Sequence, residues 1–143
     1  MLQVQGLSKI FGGLRAVDDA SLSVDKGRIV ALIGPNGAGK TTFFACVAGF
    51  HQPDAGRVHF NGQDITGMAP HLIARHGMVR TFQITQPFAK LSVLDNIMVG
   101  AYQLHARDAD ARAHAIAVAQ KVGMAPLLGQ AAMELTVAGR KRL

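Results

Sequence analysis

The residues best suited to chemistry lie between positions 34 and 42, where the sequence reads Gly-Pro-Asn-Gly-Ala-Gly-Lys-Thr-Thr. They fit the pattern G-x-x-x-x-G-K-[ST] without a mismatch. Glycines at these positions let the backbone curl closely around an anion, and its exposed N–H groups then form a cradle for phosphate oxygens. The pattern therefore predicts a site for the phosphates of a nucleotide.

The residues on either side predict the elements that would position this loop. Arg28–Ile33 is a short apolar run rich in β-branched residues, which predicts a buried strand. Residues 41–48 predict a helix, and Gly49 is suited to end it. The phosphates would then lie at a helix N-terminus, within reach of the Lys40 ammonium, while the Thr41 hydroxyl is suited to bind Mg²⁺. The alternative interpretation of residues 34–42 is a glycine-rich turn that happens to precede a lysine. Such a turn would require neither the preceding strand nor the following helix.

Composition limits the class of protein. The chain has 143 residues, of which 49% are hydrophobic, so it can form a core of one domain or part of one. No apolar run approaches the length of a membrane span, and the N-terminus does not have the pattern of a signal peptide. The single cysteine, Cys46, predicts no disulfide framework; it fits a reducing cytoplasm and is expected in the core.

The net charge of +6 raises the question of a nucleic acid or an anionic membrane as a partner. The basic residues are scattered, except for Arg140-Lys141-Arg142, and none are interleaved with aromatic residues. We therefore expect a solvated basic surface and no nucleic-acid partner. The six histidines lack metal-ligand spacing, so no structural metal is predicted.

Periodicity and turn residues predict several short elements around the loop. Strands are expected at residues 2–10, 20–24, 57–60 and 78–82. Helices are expected at residues 70–76, from residue 92 onward, where Ser92 and Asp95 offer an N-terminal cap, and at residues 107–122. Turns are expected at Gly12-Gly13 and at Asn61-Gly62. Together they favour a small antiparallel sheet beside a parallel core.

Five stretches in this order resemble one family, the ATP-binding subunits of ABC transporters, and especially the branched-chain amino-acid uptake ATPases. They are Leu7–Val17, the glycine-rich loop, Asn61–Ile65, Arg80–Gln83 and Leu91–Asn96. The resemblance implies an α/β fold: a P-loop NTPase (RecA-like) core with an antiparallel β subdomain and the start of an α-helical subdomain, truncated. The nucleotide-binding core would occupy residues 1–85, and the helical subdomain residues 86–143.

The resemblance also implies roles for single residues. Phe11 would stack on adenine, the alternative being a phenylalanine of the core. Val17 would pack under the base or sugar, and Asn36 would direct its amide at the γ-phosphate. Gln83 would act with Lys40 in catalysis, by binding Mg²⁺ or orienting the attacking water. The implied ATP contacts within the loop are completed by Gly34, Gly37, Ala38, Gly39, Lys40, Thr41 and Thr42.

Near the end, Leu135–Gly139 occupies the place of the family's LSGGQ signature. The resemblance implies that Thr136 and the amide of Ala138 or Gly139 contact the γ-phosphate of ATP on the opposite subunit. Bulky Val137 departs from the family pattern, which has glycine there.

The resemblance implies ATP and Mg²⁺ as cofactors. It also implies two kinds of partner: membrane permease subunits, and a second ATPase subunit that is either identical or different. It also implies a cytoplasmic position on the inner face of the cell membrane, without membrane insertion. Glu134 is the only glutamate and follows no apolar strand, so the family's catalytic acidic motif is missing. We therefore expect an N-terminal fragment that does not hydrolyse ATP by itself.

Two other functions stay open: a nucleotide-binding module that never hydrolyses, and a P-loop small-molecule kinase. The segments around Phe11 and Gln83 favour the transporter hypothesis over the kinase hypothesis, because a kinase needs neither segment.

Overall fold

A computed structural model describes residues 1–143, which divide into a first unit, Met1–Arg80, and a second unit, Thr81–Leu143. The first unit contains one four-stranded sheet with the strand order β2-β1-β3-β4. These strands are β1 (Leu2–Phe11), β2 (Leu14–Val24), β3 (Ala55–Phe60) and β4 (Gln63–Asp64). Every neighbouring pair is antiparallel. The predicted antiparallel sheet is therefore present.

The β1–β2 hairpin is longer than the sequence predicts. Its tip is the predicted turn, where Gly12 and Gly13 have φ angles of 50° and 90°. The predicted second strand began only at residue 20, whereas β2 begins at Leu14. The register shifts between the pairs Leu7–Ala20 and Lys9–Val17, and Asp19 lies in this irregular stretch with a φ of 46°. This bulge takes up polar residues that interrupt the alternation of the strand.

The core of the first unit lies between the sheet and the helix that follows the glycine-rich loop, α1 (Lys40–Val47). Cys46 is buried there, as expected. A second helix, α2 (Pro70–Arg75), starts with proline as predicted and contributes Ile73 to the same core. The core consists of Val4, Leu7, Val17, Phe43, Cys46, Val47, Val58, Ile65 and Ile73.

Two predicted strands are wrong. Residues 28–33 and 78–82 have no regular secondary structure. Residues 28–33 are all exposed, with a relative exposure of 99% at Ile29. In residues 78–82, Val79 is 76% exposed, whereas Met78 is half-buried against the core. A β-strand requires a neighbouring backbone to pair with its N–H and C=O groups, and within residues 1–143 neither segment pairs with one. The apolar composition of residues 28–33 predicts a buried strand, but no strand forms there, and the sheet within residues 1–143 is antiparallel only.

The second unit is helical. It contains α3 (Val93–Ala101), α4 (Asp108–Lys121) and α5 (Val137–Arg142), with short 3-10 turns at Ala125–Leu127 and Ala132–Glu134. The predicted cap at the start of α3 is confirmed, because the Asp95 amide donates to Ser92 Oγ at 3.0 Å and the Ser92 amide to Asp95 Oδ2 at 3.3 Å. Three fully buried alanines of α4 pack in this unit: Ala111, Ala115 and Ala119. No helix in either unit has the length and apolar character needed to cross a bilayer.

Candidate nucleotide-binding site

The glycine-rich loop closes directly onto the first turn of α1. The Ala38 amide donates to the Pro35 carbonyl at 3.3 Å, which forms a turn. Gly37 and Gly39 have φ angles of 83° and 82°, in the left-handed region that favours glycine. No side chain caps the helix at Gly39. The first amides of α1 are therefore left for a ligand, and the helix dipole favours an anion at that place.

The Lys40 side chain folds back over the loop that precedes it. Its ammonium donates to the carbonyl oxygens of Gly34 and Pro35, at 2.7 and 2.6 Å. An ammonium has three donors, so one remains beyond these two bonds. The charge is thus held against the loop whose amides would surround a phosphate.

Two hydroxyl groups follow Lys40 in the first turn. Thr41 is exposed and Thr42 is half-buried, and neither side chain hydrogen-bonds within the chain. A hydroxyl oxygen is a suitable ligand for the hard cation Mg²⁺, which usually keeps several waters and is also held by substrate phosphates. The donor set at the start of α1 therefore fits Mg²⁺ bound together with a polyphosphate.

A cleft of about 420 Å³ adjoins the loop. Strand β2 lines one side of it through Ala16 and Val17, and Gly37–Lys40 lines another. The strand approaches so closely that a Cβ atom added to Gly39 would lie 2.1 Å from the Ala16 carbonyl oxygen and 3.5 Å from Val17 Cγ2. Val17 is buried beneath the loop. The structure thus places Val17 beside the loop.

Phe11 lies at the end of β1, next to the hairpin turn. It is 41% exposed and is not part of the buried core, so the alternative of a core phenylalanine is wrong. Its ring meets the His51 ring nearly at a right angle, with centroids 5.3 Å apart. The Lys9 ammonium lies 5.3 Å from the Phe11 centroid. An exposed, supported ring of this kind is able to stack on a base.

The remaining predicted site residues belong to the second unit. Gln83 is exposed and lines a cleft of about 720 Å³ together with residues 85–88 and the basic end of α5. Thr136 caps α5, because its hydroxyl accepts a hydrogen bond from the Gly139 amide at 3.1 Å. Val137 is exposed at the start of that helix. The roles of Gln83, Thr136 and Gly139 stay predictions, as does the division of function at residue 85.

Sequence reasoning missed two contributors to the site in the first unit. The Ala16 carbonyl sets how closely β2 approaches the loop, and His51 contacts the Phe11 ring. The close approach at Gly39 has one sequence signal, the glycine itself, since glycine marks places where backbones meet closely. No feature of the sequence indicates the contact between His51 and Phe11.

The fold and this loop define a P-loop nucleotide-binding cassette, and the comparisons agree. A family model described as ABC transporter matches residues 17–143. The chain therefore belongs to the ABC transporter family, as the motifs predicted. The probable branched-chain amino acid transport ATP-binding protein LivG of Archaeoglobus fulgidus is 52% identical over 99 residues, which cover 69% of this chain and 38% of that protein. The high-affinity branched-chain amino acid transport ATP-binding protein BraF of Pseudomonas aeruginosa is 45% identical over 103 residues, 72% of this chain and 40% of that protein.

Solved structures support the predicted fold class. The crystal structure of the ADP conformation of MJ1267, an ATP-binding cassette of an ABC transporter, has a TM-score of 0.86 at 31% identity, over 99% of this chain and 61% of that one. A dimeric post-hydrolysis state of the cassette MJ0796, bound to ADP and phosphate, has a TM-score of 0.81 at 16% identity. The match covers 99% of this chain and 66% of that one, and at this identity it supports only the similarity of fold. The aligned chain spans 38% and 40% of the lengths of the two curated relatives.

Proposed function

We propose that this chain binds Mg-ATP, and that in a complete subunit ATP hydrolysis energises uptake of branched-chain amino acids through an ABC transporter. The observation that carries the proposal is the loop at the start of α1. Two left-handed glycines shape it, and the Lys40 ammonium lies against its carbonyl oxygens at 2.7 and 2.6 Å. The solute is inferred from the names of the relatives.

In this proposal the loop amides and Lys40 hold the β- and γ-phosphates, with the Asn36 amide directed at the γ-phosphate. Gly34, Ala38 and the Thr42 amide complete the cradle. Thr41 would hold Mg²⁺, which supplies positive charge against the phosphate oxygens when bound. Hydrolysis is direct attack of water on the γ-phosphate, so the task of these residues is positioning and charge stabilisation.

The second unit would connect this chemistry to partners. Gln83, whose carboxamide both donates and accepts, would bind Mg²⁺ or orient the attacking water. Residues 84–91 would face the membrane permease subunits. Thr136 and Gly139 would contact ATP held by a second ATPase subunit, which places two subunits around each nucleotide. The complex would then lie at the cytoplasmic face of the cell membrane.

A first test separates hydrolysis from binding. Gln83→Ala in a complete subunit, assembled with its membrane subunits, should retain ATP affinity but lower phosphate release at least about tenfold, because the water loses its orienting group. Gln120→Ala, an exposed glutamine near the end of α4 and outside residues 84–91, serves as the control and should release phosphate normally. Bound ATP without any phosphate release in the unaltered protein would indicate a non-hydrolysing module instead.

A second test concerns recognition of the base. Phe11→Ala should weaken ATP binding by about 1–3 kcal/mol, the range for loss of a base–aromatic stack, and should leave inorganic tripolyphosphate binding unchanged. Equilibrium dialysis with both ligands measures the difference. Equal weakening of the two ligands would contradict stacking of the base on Phe11.

A further inference from the structure

The Phe11 ring is supported by side chains that lie outside the glycine-rich loop. The His51 ring contacts it at an interplanar angle of 76°, with centroids 5.3 Å apart. Perpendicular aromatic contacts of this kind are favourable beyond the apolar area that they bury. On another side, the Lys9 ammonium lies over the Phe11 ring at 5.3 Å, within the range of a cation–π interaction. Two different side chains therefore restrict the same ring.

Lys9 is itself held in place. Asp54 Oδ1 pairs with the Lys9 ammonium at 3.2 Å, and the Lys9 side chain is only 14% exposed. Asp54 is anchored in turn, because its Oδ2 accepts from the Ile10 amide at 2.6 Å and its own amide donates to the Ser8 carbonyl at 2.9 Å. The bond from Ile10, followed by the bond from Lys9, lowers the pKa of Asp54 below its ordinary value. The carboxylate is therefore ionised at neutral pH and keeps the Lys9 ammonium over the Phe11 ring.

His51 is positioned by the helix that starts at the glycine-rich loop. The chain turns back after α1, and the His51 amide donates to the Ala45 carbonyl at 3.2 Å. Ala45 is five residues beyond Lys40, which corresponds to about 7.5 Å along a helix axis. One helix thus begins at the glycine-rich loop and supports, near its other end, the residue that contacts Phe11.

We propose that His51, supported by Lys9 and Asp54, is a positioning residue that holds the Phe11 ring for stacking on the base of a bound nucleotide. The inference rests on the proposed function, since it requires ATP at the loop and its base at Phe11. A ring that is already held loses less conformational freedom when a base stacks on it, and this saving appears as affinity. The 41% of Phe11 that stays exposed is the surface available to the base.

The test uses a complete subunit and measures the affinities of Mg-ATP and of inorganic tripolyphosphate by equilibrium dialysis. His51→Ala should weaken ATP binding about 2- to 10-fold, the value of one aromatic pair, with tripolyphosphate unchanged. His51→Phe keeps a ring at this position and should restore most of the affinity. His71→Ala removes an exposed histidine from α2 and should bind both ligands normally.

A combination of variants separates positioning from a general effect on the fold. In a Phe11→Ala background, His51→Ala should cause no further loss of ATP affinity, because there is no ring left to hold. Unchanged ATP affinity in His51→Ala would overturn the inference. Equal weakening of both ligands, or the same loss with and without Phe11, would also overturn it, because His51 would then support the fold.

The proposed function is tested separately within the same experiment. If Phe11→Ala leaves ATP affinity unchanged, base stacking at this position is wrong and the role of His51 is wrong with it. ATP binding by the loop is then judged by tripolyphosphate affinity and by loss of binding in a Lys40 variant. The two failures are therefore distinguishable.

Discussion

Lys40→Ala is expected to abolish measurable Mg-ATP binding. The ammonium lies 2.7 and 2.6 Å from two carbonyl oxygens of the loop, and a nucleotide would place the β- and γ-phosphates within its reach. Hydrogen bonds to charged groups contribute about 1.5–3 kcal/mol each, so the loss of two corresponds to roughly 10²- to 10⁴-fold in affinity. Equilibrium dialysis with labelled ATP is the measurement.

The matched control for this variant is Lys26→Ala, which removes an exposed lysine in the turn before the predicted strand. It changes the net charge equally, so it should bind ATP with unaltered affinity. Retention of full ATP affinity by Lys40→Ala would mean that the loop does not bind nucleotide. A melting temperature close to that of the unaltered protein would show that the loss of binding arises at the site.

Gly39→Ala should be the most damaging single-methyl change in the loop. Its φ of 82° already disfavours any side chain, and the new Cβ would lie 2.1 Å from the Ala16 carbonyl oxygen. The backbone of the loop or of β2 must therefore move, which destroys the geometry of the phosphate cradle. We expect no detectable ATP binding and a lowered melting temperature.

Gly37→Ala is the control for this effect. Gly37 has nearly the same φ, 83°, but a Cβ there would have no atom within 4 Å. Only the conformational penalty remains, about 1–2 kcal/mol for a left-handed alanine. The two variants should differ clearly in both melting temperature and ATP affinity. Equal behaviour would show that backbone conformation, rather than the approach of β2, sets the requirement for glycine.

Local signals in the sequence predicted local structure well. The cap formed by Ser92 and Asp95 and the left-handed turn at Asn61-Gly62 depend on residues that are near each other in the chain, and both are present. The glycine-rich loop belongs to the same class, because its conformation depends on glycines within the motif. Such features need no knowledge of distant residues.

Features that depend on distant residues were predicted poorly. Arg28–Ile33 has the composition of a buried strand, but composition does not state whether a pairing partner is present. The start of β2 was missed because Asp18 and Asp19 break the alternation, and only the bulge against β1 accommodates them. The contact of His51 with Phe11 requires the end of α1 and the end of β1 to meet, which no spacing in the sequence encodes.

The exposed segment Arg28–Ile33 also has a consequence for handling the protein. It is six residues long, strongly β-forming and free of proline, with a single charge at one end. Segments of this composition stack in register between identical molecules and form dry, interlocked sheets when nothing covers them. Residues 28–33 thus carry an amyloid-type hazard beside the glycine-rich loop. A charge placed at Ile29, which is 99% exposed, would act as a gatekeeper against such fibres.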